Sequence, residues 1–224
     1  MARTPRYQAP NLIRHVMSRG NGRMCIFLDE SDYREFVYLL GETVEAHGVQ
    51  CWNYCVMPNH YHLTLQPTQP NLSRAVARLN SVYAQWWNRR HERVGHVFQG
   101  RFKDQIVDQD SYLLALSRYV VLNPVRAGLT DRPEEWRWSS YRATAGIELP
   151  PAFLGSSSTL RLFGDAPDAT LQPRFKDFVA DQDHDATLAD RIRSNDRILG
   201  PRAFKEWVAA LNGNAGSDNG SSRE

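Results

Sequence analysis

The sequence predicts an α+β fold in which an antiparallel sheet carries helices on one face, and two observations lead to that prediction. Short segments in which apolar and polar residues alternate are typical of half-buried strands, and longer segments with an apolar stripe at helical spacing are typical of amphipathic helices. Within the first 123 of the 224 residues these segments follow the order β-α-β-β-α-β-α. A mostly helical extension follows them.

The first predicted strand and helix occupy residues 12–18 and 29–47. The strand ends at the turn Arg19-Gly20-Asn21-Gly22, because glycine and asparagine favour tight backbone bends. Ser31 is a candidate N-cap of the helix, and Gly48 follows at the position where a glycine commonly ends one. The apolar stripe of this helix consists of Phe36, Leu39, Leu40 and Val44.

A hairpin and a second helix–strand pair come next. Strands at 49–57 and 60–66 are joined by the turn Pro58-Asn59, a long helix covers 71–91, and a further strand covers 101–107. Strand–helix–strand repeated in this way is the split βαβ, or ferredoxin-like, pattern.

A third helix follows the last of these strands. Asp110 or Ser111 is its candidate N-cap, and it must end near Asn123 because Pro124 disfavours helical backbone in the residue before it. The whole chain divides into four predicted regions. Residues 1–148 form the main domain, 149–173 a linker rich in Gly, Pro and Ser, 174–212 a helical extension, and 213–224 a disordered tail.

Composition narrows the class of protein. Three cysteines are an odd number and too few for a disulfide scaffold, so we expect a reduced, cytoplasmic setting. No stretch reaches the roughly 18 to 20 apolar residues of a membrane span, and no secretory signal follows Met1. We therefore expect no membrane partner.

The charge distribution favours nucleic acid as a partner. Residues 71–103 contain seven basic residues and one acidic residue, and only three of the 27 basic residues in the chain are lysines. The planar guanidinium of arginine binds phosphate through two hydrogen bonds and stacks on bases. The alternative is that the arginine bias reflects the codon usage of a GC-rich genome.

The strand at 60–66 carries the first chemical signal. His60 and His62 are two residues apart, so their side chains lie on one face of the strand, about 7 Å apart along it. Two neutral imidazoles at this spacing can reach one metal ion, with a third ligand from elsewhere in the chain. The alternative is a pair of half-exposed histidines on the polar face of an edge strand.

The third helix carries the second signal. Tyr119 and Asn123 are four residues apart and share one helix face. A phenol, with a pKa of about 10, is a poor nucleophile at neutral pH. A divalent ion beside it would polarise a phosphodiester target, and the Asn123 amide oxygen is a candidate third ligand. The alternative is that Tyr119 is an ordinary helix aromatic with a buried ring.

Four motifs in this order resemble a known family. They are Arg19-Gly20-Asn21, Met57-Pro58-Asn59-His60-Tyr61-His62, Gly100-Arg101-Phe102-Lys103, and the run from Arg118-Tyr119 through Asn123-Pro124-Val125-Arg126-Ala127-Gly128. Together they resemble the single-strand DNA transposases with an HUH motif and one catalytic tyrosine, and most closely the REP-associated tyrosine transposases. The resemblance covers about residues 11–145.

The resemblance implies a site and a reaction. His60 and His62 would bind Mg²⁺ or Mn²⁺, and Asn123 matches a polar position at which some relatives carry glutamine. Tyr119 would attack a single-strand phosphodiester, leaving a 5′-phosphotyrosine link and a free 3′-OH. The family also implies a homodimer that acts on single-stranded or hairpin DNA containing REP-like palindromes.

DNA binding needs cations for the phosphates and aromatic rings for unstacked bases. The predicted DNA contacts are Arg14, Arg19, Asn21, Arg89, Arg90, Arg93, Arg101, Lys103 and Arg126. Three alternatives stay open: a domesticated hairpin-binding protein without catalysis, a related HUH replication initiator or relaxase, and a metal phosphodiesterase that uses water.

Overall fold

The computed structural model describes residues 9–181, 190–192 and 196–215. Its strands are β1 (Ile13–Arg19), β2 (Val49–Met57), β3 (His60–Pro67), β4 (Lys103–Val107) and β5 (Ile198–Leu199). They form one sheet in the order β2-β3-β1-β4-β5. Neighbouring strands run antiparallel, except that β5 is parallel to β4. The predicted α+β class with an antiparallel sheet is confirmed.

The helices follow the predicted order. They are α1 (Glu30–His47), α2 (Leu72–Arg90), α3 (Gln109–Val121), α4 (Asn123–Arg126), α5 (Tyr141–Thr144), α6 (Ser156–Leu160), α7 (Asp168–Ala180) and α8 (Arg202–Ala215). The predicted helix end near Asn123 agrees with the break between α3 and α4. Pro124 is tolerated there because it lies in the first turn of α4, where its missing N–H has no helical acceptor.

The N-cap of α1 lies two residues before the predicted one. Its N-cap is Asp29, whose side chain accepts hydrogen bonds from the backbone N–H groups of Ser31 and Asp32 at 2.9 and 3.3 Å. Ser31 already lies inside the first turn, so its own side chain is not the cap. At the other end Gly48 has a φ of 59°, the left-handed conformation for which glycine was predicted.

Helices were predicted on one face of the sheet, and that holds for α1 and α2, whereas α3 covers the other face. α1 and α2 pack on the face that carries Val16, Tyr61 and Leu63, all fully buried. α3 packs on the opposite face, where its Leu113 and Leu116 join Ile13 in a second cluster. Side chains alternate along β3, so the neighbours of Tyr61 in the chain, His60 and His62, belong to the α3 face.

The segment 149–173 is not the linker that its Gly, Pro and Ser content predicts. It contains α6 and the first part of α7, and Leu160 and Leu171 are buried in a cluster with Leu122 at the end of α3. The hydroxyl of Thr159 donates to the backbone carbonyl of Trp52 at 2.9 Å. Apolar residues scattered among the turn-forming ones bind this segment to the main domain.

The end of the described chain joins the same sheet. β5 pairs with β4 at Ile106 and Val107, and Val208 of α8 packs against Leu12 and Ile106. Of the predicted disordered tail, 213–215 belong to α8, and 216–224 lie outside the described residues. Among the described residues, no helix is long and apolar enough to cross a membrane.

Candidate active site

An open cavity of about 1270 Å³ lies on the α3 face of the sheet. It is bounded by β1, β3 and β4, by α3 and α4, and by the chain segment before β5. Its lining includes His15, Arg19, His60, His62, Arg101, Lys103, Tyr119, Asn123, Arg126 and Arg197. The fold thus brings the predicted nucleophile and all three predicted metal ligands to one cavity within one chain.

β3 presents His60 and His62 side by side, as the alternation along a strand predicts. Their ring centroids are 5.0 Å apart and their planes are at 80° to each other. His62 is 2% exposed, and His60, at the start of the strand, is half-buried. The pair therefore forms one corner of the cavity instead of projecting from an exposed edge.

Both imidazoles use Nδ1 in contacts with the protein. His62 Nδ1 lies 2.8 Å from Nε2 of His15, and His60 Nδ1 lies 2.6 Å from Oδ1 of Asn59. Neither ring has a hydrogen-bond partner at Nε2 among the described residues. One nitrogen of each ring is therefore held by protein, and the other is available to a ligand in the cavity.

Burial keeps these histidines neutral. It lowers the pKa of His60 to about 4, and the charge of Arg19 acts in the same direction. Burial also lowers the pKa of His15 to about 4, although its hydrogen bond to Gln105 opposes the shift. The pKa of His62 lies well below its ordinary value because of burial and of the neighbouring His15, His60 and Arg19. A neutral imidazole is the form that binds metal.

The ring of Tyr119 packs against the rings of His62 and His15. Its ring is edge-on to His62, with centroids 5.8 Å apart, and edge-on to His15 at 6.2 Å. The guanidinium of Arg126 lies 5.0 Å from the centre of the tyrosine ring, and its Nη1 donates to the Tyr119 carbonyl at 3.3 Å. The ring is buried, as an ordinary helix aromatic would be, but it is buried at the wall of the cavity.

Asn123 lines the same cavity and has an amide oxygen that no described residue uses. Its Nδ2 donates to the carbonyls of Tyr119 and Val120 at 2.9 and 3.3 Å, so its amide oxygen is the atom left for a ligand. No group of three or more His, Cys, Asp or Glu side chains within the described part of the chain could hold a metal. Two imidazole nitrogens, an amide oxygen and water can together coordinate Mn²⁺ or Mg²⁺.

Sequence reasoning missed several residues of the cavity, among them His15, Gln105 and Arg197. His15 is directly opposite Gln105 in the β1–β4 register, and its Nδ1 lies 3.1 Å from the Gln105 amide oxygen. A histidine in the middle of the first predicted strand, followed by Val16 and Met17, was the available signal for His15. Nothing in the local sequence marks Gln105 or Arg197, because the fold brings them to the cavity from distant segments.

Four of the predicted DNA contacts line the cavity. Arg19 is the last residue of β1 and Arg126 the last residue of α4. Lys103 is the first residue of β4, and Arg101 lies two residues before it. Arg101 and Lys103 are exposed to solvent. These cations surround the histidines, where they can meet the phosphates of a bound strand.

Two other predicted contacts form ion pairs within the protein, and as DNA contacts they stay predictions. Arg14 is 2% exposed, and its Nη2 forms an ion pair with Asp104 at 3.0 Å, so it faces the protein interior. Arg90 forms ion pairs with Asp29 at 2.7 Å and with Asp32 at 2.5 Å. These two carboxylates compensate its charge.

The remaining predicted contacts lie apart from the cavity. Asn21 belongs to the turn after β1, where its backbone N–H donates to the Val97 carbonyl. Arg89 is exposed at the end of α2, and the guanidinium of Arg93 lies 5.9 Å from the ring centre of Trp87. None of the three lines the cavity, so their role in DNA binding stays a prediction.

Comparison with known proteins agrees with the resemblance seen in the motifs. A protein of Haemophilus influenzae with the provisional name REP-associated tyrosine transposase is 25% identical over 147 residues, covering 60% of this chain and 84% of that protein. A solved structure of a REP-associated tyrosine transposase bound to a REP hairpin has a TM-score of 0.56 at 15% identity. It covers 68% of this chain and 90% of that chain, and this likeness shows the fold.

A family comparison covers the candidate site itself. The family described as "Transposase IS200 like" matches residues 8–123, a range that contains the histidine pair, Tyr119 and Asn123. The match spans more than half of the sequence and begins just before β1. The chain therefore belongs to the family of IS200-like transposases.

Proposed function

We propose that this protein is a metal-dependent enzyme that cleaves and transfers single-stranded DNA through a phosphotyrosine intermediate. The observation that carries the proposal is the contact of Tyr119 with His62 in a cavity that also contains His60 and Asn123. A tyrosine buried only for packing would not need two neutral imidazoles with available nitrogens beside it. Membership of a transposase family supports DNA as the substrate.

The chemistry follows from the groups present. The Tyr119 oxygen forms a bond to phosphorus while the bond from phosphorus to the 3′ oxygen breaks. The tyrosine loses its proton, and the leaving 3′ oxygen gains one. A 3′-OH from another strand end can later attack the phosphotyrosine and restore a phosphodiester, which is strand transfer. Each step conserves the number of phosphoester bonds, so no external energy source is needed.

His60, His62 and Asn123 are the residues that would hold Mg²⁺ or Mn²⁺. A bound divalent ion would polarise the phosphodiester and offset the charge that develops in the transition state. The chain's own contribution is to keep both imidazoles neutral and to hold the Tyr119 ring beside them. Arg126, which contacts both the ring and the backbone of Tyr119, would also lie close to the attacked phosphate.

Hairpin DNA is the substrate we infer. A solved relative of the same fold is bound to a REP hairpin. In this chain the exposed Arg101 and Lys103 and the cavity residues Arg19 and Arg126 would bind the phosphates of the strand beside such a hairpin. The homodimer that the resemblance implies is a further proposal, which light scattering of the purified protein tests.

The test is formation of a covalent adduct. Purified protein is mixed with labelled single-stranded oligonucleotides that contain palindromes from its own genome, with and without Mn²⁺, and the products are separated on denaturing gels. We expect a metal-dependent adduct that Tyr119→Phe abolishes while hairpin binding persists, because only the hydroxyl is lost.

Tyr112→Phe is the matched control. It removes a hydroxyl from the same helix, at a position that does not line the cavity, and should leave the adduct intact. Cleavage without an adduct would indicate a phosphodiesterase that uses water. Tight hairpin binding without cleavage would indicate a binding protein, and either result would contradict the proposed function.

A further inference from the structure

A line of buried polar side chains crosses three adjacent strands beside the cavity. His62 lies on β3, His15 on β1 and Gln105 on β4, and all three are on the α3 face. Their exposed fractions are 2%, 2% and 8%. Water therefore does not compete strongly for their hydrogen bonds, and each proton position depends on the protein partners.

The amide of Gln105 has one orientation that satisfies its neighbours. Its Nε2 lies 2.8 Å from the carbonyl oxygen of Asp196 and 3.4 Å from that of Arg191. Carbonyl oxygens only accept hydrogen bonds, so the amide NH₂ must face them. The Gln105 oxygen is then the atom that faces His15 Nδ1 at 3.1 Å.

This orientation determines the proton positions along the line. The Gln105 oxygen can only accept, so Nδ1 of neutral His15 carries the proton and donates it. Nε2 of His15 is then an acceptor, and at 2.8 Å it accepts from Nδ1–H of His62. The opposite arrangement would place the Gln105 oxygen against two carbonyl oxygens. The remaining nitrogen of His62, Nε2, consequently carries a lone pair.

We propose that Gln105 and His15 are positioning residues that keep the His62 proton on Nδ1 and present the Nε2 lone pair to the divalent ion. Ligating histidines characteristically donate their second N–H to a fixed acceptor, which sets the ring orientation. In this chain the acceptor is itself fixed by carbonyls of the segment before β5. That segment thereby acts on the metal site through Gln105. The inference rests on the proposed metal-dependent function.

His60 provides an internal comparison because it has its own partner. Its Nδ1 lies 2.6 Å from Oδ1 of Asn59, whose Nδ2 donates to the Arg23 carbonyl at 3.2 Å. The Asn59 amide is therefore oriented in the same way as that of Gln105, but independently of it. A change at Gln105 should alter the tautomer of His62 and leave that of His60 unaltered.

The tautomers of His60 and His62 can be measured directly by NMR spectroscopy. Long-range ¹H–¹⁵N correlation spectra of the full-length, metal-free protein distinguish a protonated from an unprotonated ring nitrogen, and single-histidine variants assign the signals. In the wild type we expect His62 to carry its proton on Nδ1. A His62 proton on Nε2 would overturn the proposal without any variant being needed.

Two substitutions at one position then test the cause. Gln105→Met keeps the length of the side chain but removes both polar atoms, so the His62 tautomers should mix. Binding of Mn²⁺ alone, followed by electron paramagnetic resonance of the free ion, should weaken roughly 10- to 100-fold. Gln105→Asn keeps both amide atoms on a side chain one carbon shorter, and it should retain more of the His62 tautomer and of the Mn²⁺ affinity than Gln105→Met does.

The outcomes separate this inference from the proposed function. An unaltered His62 tautomer and unaltered Mn²⁺ affinity in Gln105→Met would overturn the positioning role, even if the wild type forms a DNA adduct. The expected tautomer and Mn²⁺ binding in a protein that forms no adduct would support the positioning role and contradict the proposed reaction. Unaltered His60 signals show that a variant is folded.

Discussion

The guanidinium of Arg126 lies 5.0 Å from the centre of the Tyr119 ring and donates a hydrogen bond to the Tyr119 carbonyl. Arg126 of α4 therefore places its charge over the ring of Tyr119, which α3 holds beside the histidines. The same guanidinium also contacts the Tyr119 backbone. The two helices are separated only by Leu122, so this relationship depends on the break between them. Arg126 can therefore both position Tyr119, the proposed nucleophile, and contact a phosphate of the DNA.

Replacing that cation should slow the reaction. Arg126→Gln removes the charge over the Tyr119 ring and beside the attacked phosphate, and a contact of this kind contributes about 1 kcal/mol. We expect adduct formation to slow roughly fivefold to tenfold in single-turnover assays. Arg202→Gln, an exposed arginine on α8, is the matched control and should react at the wild-type rate. Equal rates for both variants would contradict a role for Arg126 at the nucleophile.

The cations at the cavity rim should determine how DNA binding responds to salt. Arg101→Ala and Lys103→Ala each remove one proposed phosphate contact. The slope of log affinity against log salt concentration should therefore fall by about 1 for each substitution. Hairpin binding measured by fluorescence anisotropy between low and physiological salt gives this slope. A slope identical to that of the wild type would place the DNA elsewhere on the surface.

Arg89 and Arg90, adjacent at the end of α2, should differ in how much they contribute to the stability of the fold. The Asp32 side chain is fully buried and also lies 2.9 Å from His91, so Arg90→Ala leaves a buried carboxylate with less compensation. We therefore expect this substitution to lower the free energy of unfolding. Arg89→Ala, at an exposed position, should change it by less than about 0.5 kcal/mol.

Urea unfolding of both variants measures the difference. Equal stabilities would show that the ion pairs of Arg90 contribute nothing to the fold. Arg89 is also the better probe of a DNA contact at this helix end, because its substitution leaves the Asp29 and Asp32 cluster intact.

Acid should destabilise the metal-free protein through its buried histidines. Burial lowers the pKa of His15 to about 4, below the ordinary value of 6.5, so the unfolded chain binds more protons between these pH values. Holding His15 neutral therefore costs no stability above about pH 6.5. The folded protein loses stability as the pH falls from 6.5 towards 4, because the unfolded chain takes up the proton first. For His15 alone the loss is about 2 kcal/mol at pH 5.

Urea unfolding at pH 7 and pH 5, in the absence of divalent ions, measures that loss. The variant His15→Gln should show a smaller difference between the two pH values than the wild type. The same pH dependence in both proteins would mean that His15 is not held neutral by the fold.

The periodicity of the sequence determined much of the site. A strand repeats every two residues, so His60 and His62 had to share a face. Helical spacing predicted that Asn123 lies one turn after Tyr119, and although α3 ends at Val121, the Asn123 side chain still donates to the Tyr119 carbonyl. The order of strands and helices likewise predicted the α+β class. These features depend only on neighbours in the chain.

Only the tertiary structure decided which distant residues meet. His15 and His62 are 47 residues apart and His15 and Gln105 are 90 apart, and they touch because β1 lies between β3 and β4. The same is true of Arg90, whose charge could not be assigned before the fold placed Asp29 and Asp32 beside it. Local sequence sets the direction of a side chain, whereas strand order and packing set its partners, because contacts between distant segments are made by the whole chain.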